Sequence, residues 1–340
     1  MPLKLLVSGI PRGYQFPLPD GNWLTEANKE KIHSISPDIE LIEMPPSMIH
    51  ELGGKVEGIE IAFVEGGSRI HYEGELDWED YLKLFTPSLK WIQLSCTGFS
   101  NNITPEIIEG TVTLTNSPDI HTTPIAESVL AAMLHHAKRL KQRHFDQKTH
   151  TWRQLKCDEL LGRTVLIIGL GNIGKEVARL CKAFHMRVIG TKRRMEPVKN
   201  VDEIFPTAEL QVHLSKADYL VIAAPLTPKT ENMLGKKEFK AMKKTTYLIN
   251  IGRGKIVQEP AMMKALVEGW IAGAYLDCLT VEPLPSEHPL WDMENVFIIP
   301  HDSHSSPYIG DRLVELFCEN LKRYVNEEPL KNVCDPKKGY

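Results

Sequence analysis

Short apolar runs alternate with amphipathic stretches along the chain, and this alternation sets the predicted elements. In the first third, runs rich in β-branched and aromatic residues predict strands at residues 3–10, 39–44, 59–64, 91–96 and 112–115. Stretches with helical spacing lie between them, at residues 25–34, 47–52, 78–85 and 105–109. Strands that alternate with helices indicate a parallel sheet covered on both faces. The first third therefore predicts an α/β domain, and it carries no glycine-rich nucleotide turn.

The second half of the chain repeats this alternation. Strand patterns occur at residues 164–168, 186–190, 219–224, 246–250, 273–277 and 296–299, and a last helical pattern covers residues 313–324. A proline-led helical pattern runs from residue 125 to about residue 145, which we interpret as one long helix between two α/β units. His135, His136 and His144 fall among basic residues on its predicted exposed face. We interpret these histidines as solvated rather than as metal ligands.

A glycine-rich turn joins the first two strands of the second half. The turn is formed by Gly169, Gly171, Asn172, Ile173 and Gly174. Its first glycine allows the bend, its second lets a pyrophosphate approach the backbone, and its third lets the helix pack close to the strand. The preceding buried strand, the helical pattern at residues 175–185 and the next strand complete a βαβ unit. This context favours a dinucleotide site over a tight turn without a ligand.

Basic residues at the end of the second strand of this unit bear on the choice of cofactor. Thr191, Lys192, Arg193 and Arg194 follow that strand, and no carboxylate precedes Glu196. An NAD site places a carboxylate there for the ribose hydroxyls, whereas a 2′-phosphate requires cations. We therefore predict NADP(H) as the preferred cofactor, with NAD(H) possible. The alternative is a solvated basic loop.

Composition excludes several classes of protein. The 340 residues suffice for two domains. A net charge of −4 gives no indication of binding to nucleic acid or to a membrane surface. The six cysteines are scattered, without CxxC or a His–Cys spacing typical of zinc, so we predict no metal and a reducing compartment. No apolar stretch approaches the length of a membrane span, and no signal-peptide pattern is present. We expect a cytoplasmic protein.

Three polar residues that follow strands of the second half form a candidate catalytic set. Because ligands of doubly wound sheets bind outside the carboxyl ends of the strands, Arg253, Glu282 and His301 are expected at one edge. Arg253 can hold and polarise a carbonyl substrate, His301 can supply a proton, and Glu282 can keep His301 in its acid form. Considered alone, an arginine after a strand is often part of a surface ion pair, and a histidine there is often a loop residue whose hydrogen bonds are already satisfied. Their shared placement favours hydride transfer to a ketone from a nicotinamide.

Five motifs together carry a resemblance to a known family. They are GRTVLIIGLGNIG at residues 162–174, APLTPKT at 224–230, INIGRGKIV at 249–257, LDCLTVEPLP at 276–285 and IPH at 299–301. In this order they resemble the D-isomer-specific 2-hydroxyacid dehydrogenases. The resemblance implies two doubly wound parallel-sheet domains, one Rossmann-type and one flavodoxin-like, with the active site in the cleft between them. It implies a substrate domain of residues 1–118 with 306–340, and a nucleotide domain of residues 119–305.

Site residues follow from the resemblance position by position. Arg253 is implied to bind the substrate, and Glu282 and His301 to form the acid/base pair. Residues implied to lie along the cofactor are Ala224, Pro225, Thr230, Ile251 and Asp277, the last of which contacts the nicotinamide amide. Cys96, Thr97 and Gly98 match the turn that receives the substrate carboxylate. Trp152 matches a tryptophan in a loop that reaches toward the partner subunit of a homodimer, although local packing also explains it.

Departures from the family pattern fall around the implied substrate pocket. Ser100-Asn101 stands where an aspartate is frequent, residues 302–306 replace a glycine-containing sequence, and Glu127-Ser128 replaces a frequent Glu-His. His304 is therefore either a second pocket group that contacts substrate or a cap of the following helix. The proline- and aromatic-rich segment at residues 11–23 is either a lid over the site or an irregular surface loop.

The resemblance also narrows the expected reaction. Glu282 argues against a formate dehydrogenase, which has glutamine there, and the chain leaves no residues for an appended regulatory domain. The basic stretch after the second strand is similar to that of NADPH-dependent glyoxylate/hydroxypyruvate reductases. We expect NADPH-preferring reduction of a small 2-keto acid to the D-2-hydroxy acid. One alternative is oxidation of another acid such as phosphite on the same scaffold, and a second is a corepressor-like sensor that binds NAD(P)H without turnover.

Overall fold

The computed structural model describes residues 3–8, 24–44, 58–64, 88–99 and 103–336. The predicted helices at residues 47–52 and 78–85, the segment at residues 11–23 and Ser100-Asn101 lie outside the described residues. The chain divides into two compact units, Met1–Ile120 with Ser306–Tyr340 and His121–Ser305. In the described parts, no helix combines the length and the apolar character that crossing a bilayer requires.

Strands and helices alternate through the described chain. The strands are β1 Leu3–Ser8, β2 Ile39–Met44, β3 Ile59–Val64, β4 Trp91–Leu94, β5 Thr113–Thr115, β6 Thr164–Ile168, β7 Arg187–Thr191, β8 Glu203–Phe205, β9 Tyr219–Ile222, β10 Tyr247–Asn250, β11 Gly273–Leu276 and β12 Val296–Ile298. The helices are α1 Glu26–His33, α2 Pro105–Glu109, α3 Thr122–Ala137, α4 Leu140–Lys148, α5 Asn172–Ala183, α6 Leu210–His213, α7 Lys236–Ala241, α8 Glu259–Val267 and α9 Ile309–Val325. Single 3₁₀ turns occur at Thr207–Glu209, Leu214–Lys216, Gly254–Ile256 and Pro289–Asp292.

The first unit contains a parallel sheet in the order β2-β1-β3-β4-β5. This is the flavodoxin-like strand order, so the predicted fold class is confirmed for this unit. Strand β4 is buried along its whole length, and Trp91 stacks on Phe317 of α9 with ring centroids 5.3 Å apart. Phe317 also stacks on Phe63 of β3 at 4.6 Å. Full burial of each such ring stabilises the unit by about 1.5–3 kcal/mol, which explains why the C-terminal helix belongs to it.

The second unit contains a parallel sheet in the order β12-β11-β10-β9-β6-β7-β8. Strand β6 pairs with β7 on one side and with β9 on the other, so the strand order reverses there and gives a Rossmann arrangement. Both faces are covered: Val165 and Ile167 of β6 pack in one hydrophobic cluster, whereas Leu166 and Ile168 pack in the other. The buried runs in the sequence thus correspond to strands with two apolar faces.

The predicted single helix over residues 125–145 is wrong, because the structure has two helices there. Helix α3 ends at Ala137, and α4 starts after Arg139, whose φ of 53° is left-handed. The returning chain causes this break: the Asp158 amide donates a hydrogen bond to the Ala137 carbonyl oxygen at 2.9 Å. Lys138 Nζ donates in turn to the Asp158 carbonyl oxygen at 2.8 Å. The Ala137 carbonyl oxygen, which would accept a hydrogen bond within a continuing helix, therefore accepts one from a distant part of the chain instead.

Two of the three histidines on this stretch are not solvated as predicted. His136 stacks on Tyr247 with ring centroids 4.1 Å apart, and His135 packs on Phe297 at 4.7 Å. Burial lowers the pKa of both imidazoles, and neighbouring positive charges contribute to the same effect. Only His144 is exposed. His135 and His136 are thus apolar packing partners of the sheet in their neutral form.

Candidate active site

The glycine turn between β6 and α5 has the shape of a phosphate cradle. Gly169 has a φ of 99°, and a Cβ there would lie 2.8 Å from the Ala224 backbone. A Cβ on Gly174 would overlap the Gly169 carbonyl oxygen. At Gly171, by contrast, a Cβ would meet no atom within 4 Å in the part of the chain that the structure describes. Gly171 thus faces open space at the start of α5, where the first turn presents N–H groups and the positive end of the helix dipole. These residues fit a dinucleotide pyrophosphate.

Alanine at the two glycine positions is expected to separate folding from cofactor binding. Gly169→Ala forces a side chain into a left-handed backbone against Ala224, so we expect the free energy of unfolding to fall by about 1–3 kcal/mol. Gly171→Ala meets no atom of the described residues, so its melting temperature should match the wild type while its Kd for the nicotinamide dinucleotide rises. Thermal unfolding and fluorescence titration measure the two effects. A Kd in Gly171→Ala equal to that of the wild type would contradict the assignment of Gly171 to the cofactor.

Strand β7 ends next to the glycine turn and is followed in sequence by three basic residues. Buried Thr191 accepts a hydrogen bond from the Gly169 amide at 3.2 Å, and its carbonyl oxygen accepts one from the Leu170 amide at 3.2 Å. This ties the strand end to the turn. Arg193 and Arg194, which follow in sequence, are exposed. The next carboxylate, Glu196, is exposed and lies 3.9 Å from Lys192 Nζ.

The other residues predicted to lie along the cofactor occupy the ends of β9 and β10. Ala224 and Ile251 are buried, and the Ile251 amide donates to the Ile222 carbonyl oxygen at 3.2 Å, which joins the two strand ends. Thr230 Oγ1 donates to the Pro225 carbonyl oxygen at 2.7 Å and accepts from the Thr227 amide at 2.8 Å. Thr230 thereby closes the loop after β9 into a fixed shape.

Glu282 and His301 form a hydrogen-bonded pair. His301 Nδ1 lies 2.8 Å from Glu282 Oε2, and the other carboxylate oxygen accepts from the Leu279 amide at 2.8 Å. His301 follows β12 in a left-handed conformation, with a φ of 54°, and its amide donates to the Ile299 carbonyl oxygen. That conformation costs about 1–2 kcal/mol for a residue with a Cβ, and it directs the ring back toward Glu282.

This pairing changes the acid strength of both groups. The hydrogen bond to Glu282 raises the pKa of His301, and the negative charges of Glu282 and Asp277 act in the same direction against the opposing effect of burial. Burial acts to raise the pKa of Glu282, but the hydrogen bond and positive charge of His301 outweigh it, so that pKa is lowered. Both shifts therefore favour the imidazolium and carboxylate forms of the pair, and in that form Nε2 is the ring N–H that Glu282 does not engage.

Arg253 lies in the loop after β10, and its side chain is exposed. Its guanidinium donates through one nitrogen to the Gly252 carbonyl oxygen at 2.7 Å, and buried Asn250 shapes the loop by donating to the Arg253 carbonyl oxygen at 3.3 Å. Gly254 follows, and a Cβ there would overlap the Leu279 backbone. The positive charge of Arg253 is near enough to influence the pKa of both Glu282 and His301. The structure thus brings the three predicted catalytic residues into one electrostatic neighbourhood.

Asp277 is a buried carboxylate that joins the loops after β11 and β12. Only 3% of its surface is exposed, and its two oxygens accept from the Ser303 amide at 3.0 Å and from Ser303 Oγ at 2.5 Å. Its amide also donates to the Asn250 carbonyl oxygen at 3.0 Å. Asp277 therefore fixes the position of the segment that carries His301. A contact with the nicotinamide amide stays a prediction.

Two residues of this site were not found from the sequence. Ser303 supplies both hydrogen bonds to Asp277, and Cys278 Sγ lies 3.7 Å from His301 Nε2. The sequence does place Cys278 directly after a strand end, where chemistry is expected, but its 23-residue separation from His301 matches no ligand spacing. Only the pairing of β11 with β12 brings them together.

The remaining predicted site residues lie elsewhere in the two units. In the first unit, Cys96 Sγ donates to the Gly98 carbonyl oxygen at 2.9 Å, and Asn116 Nδ2 donates to the Thr97 carbonyl oxygen at 2.6 Å, so the turn is held in place. In the second unit, half-buried His304 meets His121 edge-to-face at 5.2 Å. The alternative that His304 caps the next helix is wrong, because Tyr308 holds the N-cap position of α9.

Trp152 projects entirely into solvent. Its exposed fraction is 101%, so the alternative of local packing is wrong. The loop that carries it is anchored by Arg153, which donates two hydrogen bonds to buried Asp146 at 2.7 and 2.8 Å. An exposed tryptophan on a fixed loop is typical of interfaces between proteins, and a homodimer stays a prediction.

Comparison with known proteins adds to this geometry. A family model described as D-isomer specific 2-hydroxyacid dehydrogenase, NAD binding domain, matches residues 130–303. A glyoxylate reductase from Thermococcus gammatolerans is 35% identical, over 71% of this chain and 75% of that protein. A glyoxylate reductase from Aeropyrum pernix is 36% identical, over 73% and 76%. The crystal structure of an NADPH-dependent glyoxylate/hydroxypyruvate reductase from Sinorhizobium meliloti, in complex with NADP and sulfate, is 26% identical with a TM-score of 0.76, covering 99% of this chain and 100% of that one.

Proposed function

Because the chain belongs to the D-isomer specific 2-hydroxyacid dehydrogenase family, we propose that it reduces a small 2-keto acid, of the glyoxylate or hydroxypyruvate type, to the D-2-hydroxy acid with NADPH. The family makes it an NAD(P)-dependent oxidoreductase. The proposal rests above all on one observation, the hydrogen bond of 2.8 Å between Glu282 and His301 after β12. The names of the glyoxylate reductase relatives support the substrate class.

Arg253, Glu282 and His301 have distinct roles in this proposal. When bound, the nicotinamide supplies a hydride to the carbonyl carbon. His301 donates the proton at Nε2 to the carbonyl oxygen, and Glu282 stabilises the imidazolium before that transfer. Arg253 binds the substrate carboxylate and polarises the carbonyl, for which its guanidinium has several N–H donors in a fixed plane. In the opposite direction, neutral His301 accepts the proton of the hydroxyl group.

The turnover assay decides between this proposal and its alternatives. We expect loss of NADPH absorbance with glyoxylate or hydroxypyruvate, and slower loss with longer branched or aromatic 2-keto acids. Reduction of NADP⁺ or NAD⁺ by phosphite, with no reduction of any keto acid, would instead favour phosphite oxidation. Tight NADPH binding without turnover of any of these compounds would favour the sensor.

The preference for NADPH is proposed from the chemistry of the loop after β7. Arg193 and Arg194 are exposed there, and the NADP in the complex of the Sinorhizobium meliloti relative supports the same preference. Replacing both arginines with serine should raise the KM for NADPH by about 10–100-fold, because each charge-assisted hydrogen bond to a phosphate contributes about 1.5–3 kcal/mol. The KM for NADH, which has no 2′-phosphate, should change little.

A lysine in the same connection provides the matched control. Lys199 is exposed and lies between β7 and β8, so Lys199→Ser removes a positive charge from the same connection and leaves both arginines in place. Its KM for NADPH should equal that of the wild type. An equal rise for NADPH and NADH in the double arginine variant would show that these arginines do not read the 2′-phosphate.

The pH dependence of turnover should reveal the raised pKa of His301. Reduction requires protonated His301, so kcat/KM for the keto acid should be constant at low pH and fall as the pH rises through that raised pKa. Glu282→Gln keeps an acceptor oxygen but removes the negative charge that raises the pKa of His301, so the fall should move to lower pH. Oxidation of the hydroxy acid, which needs neutral His301, should show the opposite slope.

The control for this profile is Glu287→Gln, which neutralises an exposed glutamate nearby in sequence. Its profile should superimpose on that of the wild type. A profile of Glu282→Gln that also superimposes on the wild type would exclude His301 as the group that controls the pH dependence.

A further inference from the structure

Three metal-ligating side chains converge next to the proposed proton donor. Among the residues that the structure describes, Asp277, Cys278 and His301 form the one group whose ligand atoms all lie within 4.8 Å of one another. Cys278 Sγ lies 3.7 Å from His301 Nε2 and 3.9 Å from Asp277 Oδ2. We propose that Cys278 and His301, with the Asp277 carboxylate beside them, bind a thiophilic divalent cation such as Zn²⁺ or Cd²⁺, and that this cation inhibits the enzyme.

The distance between the two main ligands suits a tetrahedral ion. With Zn–S near 2.3 Å and Zn–N near 2.0–2.1 Å, tetrahedral angles place the sulfur and nitrogen about 3.6 Å apart. The 3.7 Å between Cys278 Sγ and His301 Nε2 requires almost no movement. Thiolate and imidazole together select Zn²⁺ and similar soft ions, whereas Mg²⁺ and Ca²⁺ require oxygen ligands.

The surroundings of His301 also fit metal binding. A histidine that binds a metal through one ring nitrogen typically donates the other N–H to a carboxylate, which orients the ring and increases its basicity. Glu282 Oε2 occupies that position, 2.8 Å from Nδ1. The same hydrogen bond that prepares His301 as an acid therefore prepares its neutral form as a ligand.

Binding requires two protons to leave for solvent. Cys278 loses its thiol proton and His301 loses the proton at Nε2, and the metal–sulfur and metal–nitrogen bonds form at those atoms. The thiol is buried, with its nearest other acceptor the Gly252 carbonyl oxygen at 3.3 Å, whereas the His301 side chain is 39% exposed. The ion thus reaches the sulfur from the side of His301. There it occupies the nitrogen that would donate to substrate, an inhibitory consequence that rests on the proposed function.

The test compares the wild type with Cys278→Ser and with Cys157→Ser, which removes a more accessible thiol elsewhere in the same unit. Zn²⁺ should inhibit keto acid reduction by the wild type and by Cys157→Ser, and a chelator should restore both. The Zn²⁺ concentration for half inhibition should be at least about 10-fold higher in Cys278→Ser, since loss of even an indirect partner costs about 10–100-fold in metal affinity. Each rate is expressed relative to the metal-free rate of the same variant. Mg²⁺ is the control ion and should not inhibit any of the three proteins.

A second measurement needs no turnover. Titration with Cd²⁺ should produce an ultraviolet thiolate-to-cadmium absorption band in the wild type and in Cys157→Ser. The band should be weaker in Cys278→Ser. If the serine variant does not fold, Cys278→Ala takes its place in this comparison. Equal bands in all folded variants, or equal Zn²⁺ sensitivity of wild type and Cys278→Ser, would overturn the site. A band that requires Cys278 without inhibition would uphold the metal site and overturn its inhibitory consequence, the part that rests on the proposed function.

Discussion

Replacing His301 with alanine will lower kcat for reduction of the keto acid by about 10²–10⁴-fold, the usual contribution of a positioned general acid. The loss follows from geometry: Glu282 holds the imidazolium through Nδ1 and leaves Nε2 as its only other N–H donor. The Kd for NADPH should not change, because no residue of the glycine turn or of the basic loop is altered. Stopped-flow reduction at saturating NADPH and fluorescence titration measure the two quantities.

A second histidine–glutamate pair in the same unit is the control. His288 Nε2 lies 3.3 Å from Glu259 Oε1, outside the proposed catalytic residues. His288→Ala should keep kcat near that of the wild type, even if its melting temperature falls. If kcat of His301→Ala equals that of His288→Ala, His301 is not the proton donor of the reaction.

Replacing Arg253 with glutamine will lower kcat/KM for the keto acid by about 10²–10³-fold. Each hydrogen bond between charged groups contributes about 1.5–3 kcal/mol, and this arginine is proposed to make two such contacts, one that binds the carboxylate and one that polarises the carbonyl. Arg253→Lys should recover part of the loss, because it restores the charge without the planar arrangement of donors. Steady-state kinetics with glyoxylate and NADPH measure both variants.

Lys255 supplies the matched control for that experiment. It is exposed and lies in the same loop after β10, two positions beyond Arg253. Lys255→Gln removes a charge of the same sign and should leave kcat/KM close to the wild-type value. Comparable losses in Lys255→Gln and Arg253→Gln would indicate a general effect of surface charge on substrate attraction rather than a specific clamp.

Strands with a clear apolar pattern were predicted most accurately from the sequence. Strand β6 has the predicted bounds because it is buried on both faces from Val165 to Ile168, and β2 and β3 have theirs although Glu40 and Glu60 interrupt their apolar runs. The short edge strand β8 was missed, since its three residues, Glu203–Phe205, give no periodic pattern. The break between α3 and α4 was also missed, because the hydrogen bonds from the Asp158 segment that cause it come from a distant part of the chain.

The candidate site shows the same division. Arg253, Glu282 and His301 could be chosen from the sequence because each follows a predicted strand, and parallel strands end at one edge. The roles of Ser303 and Cys278 could not be found that way. Ser303 has a role because its hydroxyl group donates to Asp277, and Cys278 has one because its sulfur lies next to His301 Nε2. Each of these two contacts joins the segments that follow β11 and β12.

By itself the sequence determined the local features of this protein: the buried strands, the glycine turn, the cations after β7 and the family to which the chain belongs. These depend on residues close together in the chain, whose spacing reflects the periods of strand and helix. The tertiary structure alone decided which oxygen of Glu282 meets His301, how Asp277 is satisfied and that a thiol stands beside the proton donor. Such contacts depend on the strand order of the sheet, which brings residues that are distant in the sequence within a few ångströms of one another, so the spacing of neighbouring residues does not reveal them.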